Sequence, residues 1–309
     1  MTSTNDFRTM NTTVTMTSAE VISLGQAHDD LGGVDNYHDS HYTERVIHGQ
    51  TANNGSLTFG TEVEVEFPGS SSRRRNTYAN GLKAKFGNKL AGIEDDGSLS
   101  DGFEVISNPC TLNFWMKKFG VADMLSVLDG MGGVAHDTED CGLHVHVGRE
   151  QLGQTPEARD LAIAKIMYIV DKFMSDDMIS GELNRFSRRE YGTSGMRNDY
   201  HYCPKNSAGQ TATDKRDAFI QKMKDARAQY RRYYALNLTN SATIEFRLFR
   251  GTLNVTTFAA TLQLVDAICR YAMTHTLQEV QSCQFKDIVA MSKYAEIRQY
   301  CNRRGISLD

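Results

Sequence analysis

Four stretches of the chain alternate apolar and ionisable residues with a period of two. FGTEVEVEF places Glu62, Glu64 and Glu66 at every second position, with Val63, Val65 and Phe67 between them. Successive side chains of a strand point to opposite faces, so this spacing predicts a strand with one apolar and one carboxylate face. A short strand is predicted at Phe103–Ser107, where Glu104 sits between Phe103 and Val105. CGLHVHVG sets Leu143, Val145 and Val147 against His144 and His146, and TIEFRLF sets Ile244, Phe246 and Leu248 against Glu245 and Arg247.

Three- and four-residue spacings predict helices between these strands. Val121, Met124, Leu125 and Leu128 define one that ends at Gly130. A second starts with Thr155 as N-cap and Pro156 at the first helical position, and carries Ile163, Ile166, Met167, Val170, Phe173 and Met174. A third runs from Asp214 to Tyr230. The last, near 256–275, shows Leu262, Val265, Ile268 and Ala272 on one side. PGSSSRRRN reads as a polar loop, Gly and Asp mark turns in GIEDDGSLSDG, and a long polar loop follows Arg188. No internal repeat is visible.

Residues 1–55 are rich in Thr, Ser, Asn, Asp and Gly, a composition that buries little and predicts an extended or poorly ordered arm. His28, His38, His41 and His48 lie in it without a compact ligand spacing, and read as solvated. Residues 56–309 then form the structured domain. With 309 residues, 40% apolar and 23% charged, the chain is an ordinary globular one. Its net charge of −4 gives no reason to expect nucleic acid or an anionic membrane as partner. No leader-like apolar segment or membrane span is present, and the six cysteines form no CxxC pair, so a cytoplasmic protein with free thiols is expected.

Any one of the four strands alone reads as a wet sheet face. Together they offer carboxylates, imidazoles and an arginine, but no lysine, on the polar side. Carboxylates that share a face repel unless cations compensate. Hard divalent ions prefer carboxylate oxygens, and Mg²⁺ completes its shell with water and phosphate, whereas a zinc site would bring more His or Cys. The set therefore points to Mg²⁺ or Mn²⁺ acting on a phosphorylated substrate, with Arg247, on the face of Glu245, clamping a phosphoryl group.

FGTEVEVEF, DDGSLSDGFEVISNP, CGLHVHVG, RRYYALNLTN and TIEFRLFRGTLN, in this order over about 57–275, resemble the amidoligase family. These are carboxylate-amine ligases of the glutamine synthetase and γ-glutamylcysteine ligase superfamily. The resemblance implies an α+β fold with a glutamine synthetase-like curved antiparallel sheet and flanking helices. It also implies an ATP-dependent enzyme that joins a carboxylate substrate to an amine substrate (amino acid, peptide or protein) through an acyl phosphate. Glu64 and Glu104 would hold one metal, and Glu62, His144 and Glu245 the other. His146 would lie near the nucleotide and Arg247 at the transferring phosphate, while Glu66 has no counterpart.

Other residues keep two readings. Asp96 and Ser98 either touch substrate or form an Asp-Gly turn. Arg188, Arg189, Tyr191, Tyr202 and Lys205 are either ligand contacts or solvated loop residues. Arg231 and Arg232 either face phosphate or cap a helix end. Asn237 reads as structural, Cys141 as a small buried residue, and Cys203 has no neighbouring base. A phosphotransferase on a related fold, as in guanidino kinases, and a non-catalytic binding protein are the competing functions.

Overall fold

The computed structural model describes residues 7–36, 46–50, 56–136, 138, 140–174, 181–187, 220–221 and 234–309. Most of the predicted helix from Asp214 to Tyr230 and the long polar loop lie outside them, with Arg188, Arg189, Tyr191, Tyr202, Cys203, Lys205, Arg231 and Arg232. The strands are β1 (Thr58–Glu66), β2 (Leu90–Glu94), β3 (Gly102–Ser107), β4 (Cys110–Thr111), β5 (Gly142–Gly148), β6 (Leu236–Asn237) and β7 (Thr243–Arg250). They form one open sheet in the order β2-β3-β1-β5-β7-β6, with β4 beside β1, and every pair is antiparallel. The architecture is α+β, as the resemblance implies.

Phe59, Val63, Val65, Phe103, Val105, Leu143, Val145, Val147, Ile244 and Phe246 are buried on the apolar side. Helices α3 (Leu112–Lys117), α4 (Val121–Gly130), α5 (Pro156–Phe173) and α6 (Val255–Thr274) add buried residues to this core. The Thr155 hydroxyl caps α5 by accepting from the Ala158 amide at 3.2 Å, and Asn254 caps α6 by accepting from the Thr257 amide at 3.0 Å. Trp115 stacks on Phe119 at 4.0 Å and donates its indole N–H to the Phe59 carbonyl at 2.9 Å, which ties α3 to β1.

β7 breaks its own alternation. Leu143 pairs with Phe249 and Val145 with Phe246, so Arg247 and Leu248 together face His144 alone. Such a bulge re-aims side chains. The bulge brings Phe249 into register with Leu143, and both Leu248 and Phe249 are buried in the core.

Several elements depart from the sequence expectation. PGSSSRRRN is not all loop: its second half opens α2 (Ser72–Phe86), capped by Ser71, which buries Tyr78, Ala79, Leu82 and Phe86. The polar start of this helix hides a stripe at four-residue spacing. Beyond α6 come three short helices, α7 (Leu277–Ser282), α8 (Phe285–Ala290) and α9 (Glu296–Arg303). The first two span too few turns for a clear period, and the last buries Ile297, Tyr300 and Cys301 on one side.

The described part of residues 1–55 also packs. Helix α1 (Ser18–Ala27) starts in a capping box between Thr17 and Glu20 and crosses α2 through Gly25 and Gly81. Met10, Met16 and Val21 are buried. A composition that looks too small to bury much is here what lets two backbones approach. His48 is held by stacking on Phe114 and by a 2.8 Å hydrogen bond to the Asn88 carbonyl; His38 and His41 lie outside the described residues. No described helix is long and apolar enough to cross a membrane.

Candidate active site

Directly opposed residues of an antiparallel pair share a face, so the register decides which polar groups meet. His146 is paired with Glu245, and Glu245 with Asn237. Glu62 is paired with His144. Glu94, Glu104 and Glu64 stand in one row across β2, β3 and β1.

Two groups of ligand atoms result. In the first, Glu62, His146 and Glu245 each bring an atom within 4.8 Å of the others. His146 Nε2 lies 2.9 Å from Glu62 Oε1, and His144 Nδ1 lies 2.9 Å from Glu62 Oε2. Arg247 donates to Glu245 Oε1, while Asn237 donates to Oε2 at 2.7 Å. Thr243 Oγ1 is 3.2 Å from His146 Nδ1, so both ring nitrogens are engaged.

The second group is Glu64, Asp96 and Glu104, again with ligand atoms within 4.8 Å. The Gly142 amide donates to Glu64. Asp96 Oδ1 accepts the amide of Ser98 at 2.7 Å and also its hydroxyl. Asp96 thus forms the turn and also reaches the two carboxylates. His144 stands between the groups, with Nδ1 3.7 Å from Glu245 and Nε2 3.7 Å from Glu64.

Burial sharpens the electrostatics. Glu64 and Glu104 are 1% and 6% exposed, so each carboxylate is largely cut off from water. Burial, then the charges of Glu62, Glu64, Asp96 and Glu94, pushes the Glu104 carboxyl well above the usual range. Burial also raises Glu64. For Glu62 burial acts upward, but the charge of His146 and the hydrogen bonds of both histidines outweigh it and hold the group well below its ordinary value. Burial works to lower His146, yet Glu62 and Glu245 together raise it to about 9.

Buried carboxylates in such a row need either protons or a cation. Three carboxylates in the second group, and two carboxylates with an imidazole in the first, are oxygen-rich donor sets that fit hard divalent ions of the Mg²⁺ or Mn²⁺ type. Among the described residues, the face expected to carry chemistry does gather Glu62, Glu64, Glu104, His144, His146, Glu245 and Arg247. His144, expected with Glu62 and Glu245, lies 2.9 Å and 3.7 Å from them, and His146 joins the same two carboxylates at 2.9 Å and 3.9 Å.

Sequence reasoning passed over Glu94, which is 3% exposed and opposite Glu104. Its signal was its place two residues before Asp96, obscured by the turn reading of GIEDDGSL. Glu66, at the strand end, accepts the Ser100 amide at 3.2 Å and reaches neither group. Cys141 is buried beside Leu99, Ala135 and Leu253, as a small core residue would be.

The family model described as "Putative amidoligase enzyme" matches residues 69–269, and the chain belongs to the amidoligase family. Membership defines the class as a ligase-type enzyme with carboxylate and amine substrates. The matched range takes in Glu94, Asp96, Glu104, His144, His146, Glu245 and Arg247, whereas β1 with Glu62 and Glu64 precedes it. No curated protein matches the chain.

Proposed function

We propose that the protein is an ATP-dependent carboxylate-amine ligase working at a two-metal site on a glutamine synthetase-like sheet. The observation that carries this reading is the pair of three-ligand groups, Glu62/His146/Glu245 and Glu64/Asp96/Glu104, with His144 between them. Two divalent cations bound there would neutralise phosphoryl oxygens of ATP.

The chain's own groups do the positioning. Asn237 and Arg247 grip the two oxygens of Glu245, and Thr243 orients His146. Arg247 is assigned to the transferring phosphoryl group and His146 to the nucleotide side. The γ-phosphoryl passes from ATP to a carboxylate oxygen, releasing ADP and giving an acyl phosphate. The amine nitrogen then attacks the acyl carbon and loses a proton, and the C–O bond to phosphate breaks. An ionised carboxylate needs this activation because oxide is a very poor leaving group, so charge neutralisation and alignment carry the catalysis.

Residues 56–309 as the catalytic domain and a cytoplasmic setting complete the proposal, supported by the reduced, buried Cys110, Cys269, Cys283 and Cys301. The test is incubation of pure protein with ATP, Mg²⁺ and pooled amino acids or peptides, following ADP release and product mass together. ADP with an amide-linked product is expected. ADP with a phosphorylated acceptor instead would move the reading to phosphotransfer, and neither product across broad pools would make it a binding protein. Glu245→Ala should abolish ADP release; undiminished release would reject the site assignment.

A further inference from the structure

A second chemically distinct place lies at the N-terminal end of α6. A cleft of ≈ 790 Å³ is lined there by the first turn of α6, by α4 residues including Asp129, and by His136, Arg250, Arg303 and Arg304. Three guanidinium groups and the positive end of a 20-residue helix dipole thus converge, with one carboxylate in the lining.

Arg303 and Arg304 sit on the same aromatic ring, each with its guanidinium carbon 5.3 Å from the Tyr300 centroid. Among the described residues neither has a carboxylate within ion-pair distance. Arg303 donates to a neutral oxygen, the Thr257 hydroxyl, at 2.8 Å in the first turn of α6. The Nε of Arg304 is buried and has no acceptor. A buried guanidinium nitrogen without an acceptor is costly, and gathered like charges raise that cost.

We propose that this cleft binds a small oxyanion, a phosphate or carboxylate group of a ligand, held by Arg303 and Arg304 with Arg250 beside them. A planar guanidinium pairs with either oxyanion through parallel N–H donors, and helix N-termini favour the same charge. The volume exceeds that of a phosphate ion several-fold, which leaves room for the remainder of a ligand. None of the carboxylate groups of the sheet lines the cleft, so this site stands independently of the ligase reading.

The full chain, kept metal-free with EDTA, is titrated with inorganic phosphate and separately with succinate against chloride at constant ionic strength, following thermal unfolding and binding heat. A rise in Tm with phosphate, succinate or both is expected, and which anion acts names the oxyanion. The double variant Arg303→Gln/Arg304→Gln should weaken binding by about tenfold or more. If that variant fails to fold, Arg303→Gln alone, at an exposed residue, is read the same way. No shift of the wild type by either anion, or an equal shift in a folded variant, overturns the proposal.

Discussion

Asn237 and Glu245 face each other across β6 and β7, and the Asn237 amide donates to one oxygen of that buried carboxylate at 2.7 Å. The amide is itself fixed, because its oxygen accepts the Thr239 amide at 3.0 Å and the Thr239 hydroxyl at 2.8 Å. Glu245 is thereby left with Oε1 turned toward Arg247 and the two histidines. Partners that orient a metal ligand matter to affinity by roughly 10–100-fold. Asn237→Ala should therefore weaken Mn²⁺ binding by about that factor in calorimetry, with far-UV CD unchanged. Wild-type affinity in the variant would mean that Asn237 only closes the strand end.

The pKa directions predict how stability and metal affinity change with pH. His146 has its ordinary value of 6.5 raised to about 9, so its contribution is complete below 6.5 and is lost as pH climbs through about 9. Glu104, also raised, acts in the same direction from the ordinary carboxylate range upward. Glu62, lowered, contributes above the ordinary range and loses its contribution in acid. The metal-free protein should lose Tm between pH 6.5 and 9, and Mg²⁺ should restore part of it. Because ligands must shed protons, divalent affinity should rise over the same interval. Melting curves in EDTA and in Mg²⁺ across that range test both signs; a metal-free Tm that climbs toward pH 9 contradicts the assignment.

The three glutamates of β1 look alike in sequence and differ in consequence. Glu62 contacts both His144 and His146, whereas Glu66 accepts one amide near the surface. Glu62→Gln should abolish divalent binding at the first group and bring the His146 imidazole down in pKa. Glu66→Gln should leave metal binding intact and change stability by less than about 0.5 kcal/mol. NMR titration of the His146 ring together with Mn²⁺ calorimetry on both variants distinguishes them.

The strands were legible because a sheet buried on one side imposes a period of two, and β1, β3, β5 and β7 all carry it. The chemical face followed, since ionisable residues occupied its positions in all four. Register was not legible: only pairing shows that Glu94 stands opposite Glu104, and only the β7 bulge sets Arg247 and Leu248 together against His144. Nor did spacing say that both imidazoles reach Glu62 and Glu245, because that depends on the cross-strand pairing of His144 with Glu62 and of His146 with Glu245. Helix α2 was masked by its charged first turn, and α1 by its small residues, whose value appears only against a partner helix.

That value can be measured at Gly81. Its α-carbon lies so close to α1 that an added Cβ would sit 2.1 Å from the Val21 carbonyl oxygen, and one on Gly25 would sit 1.9 Å from that of Thr77. Both obstacles are backbone, so a side-chain rotation cannot relieve them and the two helices must separate. Opening the crossing would loosen Val21, which is fully buried, and the Tyr78–Leu82 stripe beneath it. Overpacking of this kind costs typically 1–3 kcal/mol, although Ala in place of Gly recovers up to about 1 kcal/mol of helix propensity. Gly81→Ala should therefore lower the urea midpoint by a net cost of about 1–2 kcal/mol, and Gly81→Val should lower it further. An alanine variant as stable as the wild type would show that α1 is not seated on α2 at this distance in solution.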